Sequence, residues 1–96
     1  MSLKPRLSWT WWPKKFWGVT IKHKDDPNLE FDLTVWEEHP GEWSFNIDVF
    51  DSANSMCNTK PLASAEEAKI TAEVTLLTYF KVIQQRLAQM EEEFVK

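Results

Sequence analysis

The sequence predicts an α+β domain: a three-stranded antiparallel β-meander packed on one long C-terminal α-helix. Three observations predict it. Apolar and polar residues alternate through 16–23, 29–36 and 43–50, and turn-forming residues separate these segments. From position 65 to 95 the chain then contains neither Gly nor Pro. Period-two alternation rich in aromatic and β-branched residues marks a half-buried antiparallel sheet, and a long stretch without breakers favours a helix.

The first strand runs from Phe16 to His23, with Trp17, Val19 and Ile21 on one face. The second, Leu29 to Trp36, turns Leu29, Phe31, Leu33 and Val35 inward and Glu30, Asp32 and Thr34 outward. The third, Trp43 to Phe50, sets Trp43, Phe45, Ile47 and Val49 against Ser44, Asn46 and Asp48. Asp25-Asp26-Pro27-Asn28 and Glu38-His39-Pro40-Gly41-Glu42 supply the turns. The polar stretch from Asp51 to Leu62, with Ser52, Asn54, Ser55, Asn58 and Pro61, reads as a loop crossing from sheet to helix.

Ser64 opens the helix. With Glu67 three residues later it forms a capping box, and Glu66 and Glu67 favour the positive helix N-terminus. A helix of about 30 residues spans roughly 45 Å, whereas an eight-residue strand spans about 27 Å. The helix must therefore overhang its own sheet. In its first half Ile70, Val74, Leu76, Leu77 and Phe80 form a broad apolar arc suited to a sheet. In its second half the pattern narrows to Phe80, Ile83, Leu87, Met90 and Phe94, a seam like that of a coiled coil. Two coverings of that seam remain open: a second copy, which makes these residues a dimer interface, or the N-terminal arm of the same chain.

Ninety-six residues make one domain, divided into an arm (1–15), a meander (16–51) and a helix (64–95). Two glycines leave little scope for phosphate-cradling loops. Cys57 is the single cysteine, so packing rather than an internal disulfide must hold the fold, as in a reducing compartment. No stretch reaches the roughly 18 apolar residues of a membrane span, and no apolar run follows the basic N-terminus. A cytoplasmic location without membrane contact is expected. His23, His39 and Cys57 lack metal-ligand spacing, and the pairs Asp25-Asp26 and Glu37-Glu38 fall at turns. No metal, cofactor or enzymatic activity is expected.

Charge is divided sharply along the chain. All fifteen Asp and Glu follow position 24, while the preceding residues hold Lys4, Arg6, Lys14, Lys15, Lys22 and Lys24 and four of the six tryptophans. Trp9, Trp11, Trp12, Lys14 and Lys15 are the candidate partner-binding residues, since indoles anchor interfaces and stack on bases while lysines neutralise phosphates. Large rings also fill small cores, and alternation sets Trp9 and Trp11 opposite Trp12. A second candidate is the acidic outer sheet face of Glu30, Asp32, Glu37, Glu38, Glu42, Asp48 and Asp51, which suits a basic partner or simply solvent.

Three strands followed by a helix opened by Ser64-Ala65-Glu66-Glu67-Ala68 resemble, over residues 16 to 80, the small sheet-plus-helix domains of phage integrase N-termini. In that family the sheet face reads DNA. Here acids occupy the strand faces and the helix is much longer, so no DNA-binding residue is carried across and the chain is not assigned to the family. In size, tryptophan density and lack of a catalytic motif it also resembles phage accessory proteins that inhibit host enzymes. The expected function is a non-enzymatic interaction or regulatory module, of phage or mobile-element type, acting as a homodimer with a protein partner. The alternative is single-stranded nucleic-acid binding through the basic, tryptophan-rich segment.

Overall fold

A computed structural model describes residues 4–13, 15–22, 24–25, 30–49 and 55–95, the side chains of Val49, Phe94 and Val95 excepted. Among these residues the chain is α+β, an antiparallel sheet followed by one helix. The strands are β1 (Thr10–Trp12), β2 (Phe16–Lys22), β3 (Glu30–His39), β4 (Glu42–Val49) and β5 (Ser55–Cys57), side by side in chain order, and α1 is Ala65–Val95. The expected three-stranded meander is the centre of this sheet and understates it by one strand at each edge.

Both extra strands are three residues long, which explains why period-two patterning missed them. β1 pairs Thr10 with Gly18, Trp11 with Trp17 and Trp12 with Phe16. Its hairpin closes where the Lys15 N–H donates to the Trp12 carbonyl at 3.0 Å, with Lys15 at a left-handed φ of 69°. β5 offers one apolar residue, Met56, opposite Ile47. Beyond it the side-chain oxygen of Asn58 accepts the Phe45 N–H at 3.0 Å, so a side chain takes over where the ladder stops. A last bridge joins Trp43 and Leu62 through two 2.8 Å hydrogen bonds and hands the chain to the helix.

The Ser64 half of the capping box forms, and the return bond to Glu67 comes from Ala63, one residue before the cap. Ser64 Oγ accepts the Glu67 N–H at 3.2 Å, and Glu67 Oε2 accepts the Ala63 N–H at 3.1 Å. His39, expected in a turn, is instead the last residue of β3, beside an irregularity in register. Pro40 and Gly41 alone make the turn, and Gly41 takes the left-handed φ of 76° that favours glycine. His23, Asp26, Pro27, Asn28, Leu29, Phe50, Asp51, Ser52 and Asn54 lie outside the described residues.

The core follows the alternation. Phe31, Leu33, Val35, Phe45 and Ile47 are buried beneath α1, with Trp17, Val19, Ile21 and Trp43 packed around them. The helix contributes Ala68, Ala72 and Leu76 to this contact. Its expected broad arc is corrected, because Val74 is 56% exposed and Leu77 48% exposed. The sheet-facing surface is instead flanked by buried Lys69 and Glu73, each with a partner that compensates its burial. Small alanines let the helix lie close, and charged neighbours take the flank that leucine and valine were expected to fill.

Candidate interaction surfaces

The N-terminal segment is tied to the first half of α1 by one carboxylate. Glu73 accepts hydrogen bonds from the Arg6 N–H at 2.7 Å, the Leu7 N–H at 3.1 Å and the Trp9 indole N–H at 2.7 Å. Charge-assisted bonds of this kind are about twice as strong as neutral ones, and three of them offset the burial of Glu73. Leu7 and Trp9 pack on the core as a result. Among the described residues the arm therefore meets α1 at Glu73, and Leu87 and Met90 of the distal seam stay exposed.

Trp11 and Trp12 diverge, as alternation expects. Trp11 tilts against Trp17 with ring centroids 5.2 Å apart, and Lys69 Nζ sits 3.4 Å from the Trp17 ring centroid as a buried cation–π contact. Trp12 lies on the opposite face, stacked on Phe16 at 6.2 Å and 19°. A Cβ at Gly18 would stand 3.0 Å from the Trp12 indole nitrogen, so the bare glycine lets the ring settle over β2. Both indoles keep about half their surface in solvent, Trp11 at 47% and Trp12 at 50%. Lys15 is exposed beside them, and Lys14 lies outside the described residues.

Register continues the Trp12–Phe16 row into Trp36 on β3, an aromatic row that reading strand by strand does not reveal. Next to it an open trough of about 590 Å³ runs over Gly18 and Thr34 toward Asp32 and Asp48. These carboxylates are direct cross-strand neighbours, an arrangement that is unfavourable for like charges. Each has a local donor: Thr20 Oγ1 at 2.6 Å from Asp32 and Asn46 Nδ2 at 2.9 Å from Asp48. Of the other expected acids, Glu30 pairs with Lys22 at 3.8 Å, Glu37 accepts the Gly41 N–H and Glu38 accepts the Ser44 hydroxyl. Glu42 is exposed at the start of β4, and Asp51 lies outside the described residues. An aromatic wall ending in carboxylates suits a cationic group better than a phosphate.

The second half of α1 is the largest departure from a closed shape. The molecule measures 55 × 28 × 27 Å, and the long axis accommodates a helix of about 46 Å. Leu76, Phe80, Ile83, Leu87 and Met90 follow one another four, three, four and three residues apart, so the stripe that packs on the sheet continues past it. Leu76 is buried, Phe80 and Ile83 are half-buried, and Leu87 and Met90 are 58% and 60% exposed. Phe94 is the next position of the series; its side chain is outside the described set. On the helix flank, Val74 and Val82 face an apolar groove beside Met56 of β5.

Among the described residues no helix is long and apolar enough to cross a membrane, and no group of three or more His, Cys, Asp or Glu could hold a metal ion. No protein-family model, curated protein or solved structure matches the chain.

Proposed function

We propose that this protein is a non-enzymatic, cytoplasmic interaction module, an accessory protein of phage or mobile-element type. It pairs with a second copy through the distal half of α1 and meets a protein partner through the edge bearing Trp11, Trp12 and Lys15. The observation that carries this reading is the continuation of the core-facing stripe into Leu87 and Met90. A helix of this length with an apolar stripe in water is unfavourable alone, and an exposed apolar patch of this kind usually marks an interface. The buried ionisable groups, Lys69 and Glu73, hold tryptophans and the arm in place, which favours a binding role for this region over catalysis. Leu87→Asp puts a charge into the paired seam without touching the sheet. The expected outcome is the mass of a single chain by light scattering, with unchanged circular dichroism. A folded variant that keeps the wild-type mass would remove the seam from the account.

A second reading keeps one specific support, the exposed Trp12–Phe16 stack beside Lys15, which suits bases of single-stranded nucleic acid. It predicts that an oligonucleotide quenches tryptophan fluorescence, with affinity falling steeply as salt rises. The acids at the far end of the same trough favour the protein partner.

A further inference from the structure

We infer that the second copy lies antiparallel on α1, with the dyad near residues 88 and 89. Leu87 then packs against Met90 of the partner subunit and Ile83 faces the partner's position 94. This inference rests on the self-association proposed above and adds its geometry.

Sterics argue for the direction. The stripe that would receive the partner helix is the same stripe that carries the sheet, since Leu76, Phe80, Ile83, Leu87 and Met90 form one series. A parallel partner would run its own first half, with its sheet, into the volume this sheet occupies. An antiparallel partner sends its first half and its sheet past the Val95 end of α1, away from this sheet.

Length supports the same arrangement. The sheet covers α1 as far as Phe80, whose ring meets Phe31 at 5.1 Å. The helix then continues for about 22 Å to Val95, with Ile83 still half-buried and Leu87 and Met90 exposed. With the dyad near 88 and 89, the partner's same segment lies along this one, and its C-terminus arrives where the sheet begins. Each overhang, as far as Val95, is long enough for the other.

Charge gives the two directions different pairings, Arg86 with Glu93 of the partner subunit when antiparallel and with the partner's Glu91 when parallel. Numbered from the seam, Arg86 and Glu93 flank one side of the stripe, and Gln84 and Glu91 flank the other. Antiparallel helices bring like flanks together, so each Arg86 meets the partner's Glu93 while neutral Gln84 meets Glu91. All four side chains are exposed and free to reach across the seam. A contact between two such short segments belongs to the small interface class, with reversible pairing on the order of micromolar.

Two measurements test this geometry separately from self-association. A spin label at Val74→Cys, in a Cys57→Ser background, reports the distance between the two first halves of α1. Antiparallel pairing predicts about 44 Å from the helical rise. Charge exchange gives the second readout: Arg86→Glu should weaken the dimer about tenfold. Adding Glu93→Arg should restore it, whereas adding Glu91→Arg should not. A dimer whose labels lie within about 30 Å, or which Glu91→Arg rescues and Glu93→Arg does not, overturns the antiparallel arrangement alone. A single-chain mass at every concentration overturns the self-association beneath it.

Discussion

Glu73 decides the position of the N-terminal segment, because three donors from residues 6 to 9 converge on it. Glu73→Ala should cost about 2–4 kcal/mol, the worth of charge-assisted bonds less the relief of an unburied carboxylate. Urea unfolding measures the loss, and a red-shifted tryptophan emission would report Trp9 entering water. A variant with wild-type stability and emission would mean that packing of Leu7 and Trp9 on the core holds the arm without the carboxylate. Lys15 presents the opposite case, a residue whose backbone conformation is unfavourable for any side chain. Lys15→Gly should stabilise the fold by about 1 kcal/mol by relieving the left-handed φ. If Lys15 also serves a partner, the same variant should bind more weakly while melting at a higher temperature.

The elements differ in how openly the sequence shows them. β2, β3 and β4 were legible because each carries three or more alternating apolar residues that can face only one core. Ser64 and Glu67 announced the start of α1, and the absence of Gly and Pro announced its length. β1 and β5 were not legible, since three residues are too few for a period, and Ser55-Met56-Cys57 reads as part of a polar loop. The rotation of α1 was also hidden. Hydrophobicity nominated Val74 and Leu77 for the sheet, but the close approach belongs to Ala68 and Ala72, which carry little hydrophobic signal. Tertiary partners, the Trp17 ring and the N-terminal N–H groups, make room for Lys69 and Glu73 beside them, with Glu66 one turn back pairing the Lys69 ammonium at 3.1 Å. Ala72→Leu tests this contact. It should destabilise the domain by about 1–3 kcal/mol through overpacking, whereas Val74→Ala on the exposed flank should stay within about 0.5 kcal/mol. Thermal melts of the two variants should separate clearly, and equal melts would mean that α1 faces the sheet differently.

The whole molecule has two unlike ends. At one, a compact sheet is closed by the first half of α1 and by the arm on Glu73. At the other, a helix of about 15 residues carries its core stripe into solvent. The candidate site was only partly legible, because the sequence offered two coverings for the seam and gave no means to choose. Among the described residues the arm is engaged at Glu73, several turns from Leu87, and Leu87 stays exposed. The split of charge has a matching spatial meaning, with Trp11, Trp12 and Lys15 at one sheet edge and Asp32 and Asp48 across the outer face.

The decisive measurement is the solution mass of the wild-type protein by light scattering across a concentration series. Pairing through α1 gives twice the chain mass of 11.3 kDa, falling toward a single chain on dilution through the micromolar range. A mass of one chain at every concentration, up to hundreds of micromolar, would contradict it and leave the exposed stripe of α1 for some other partner.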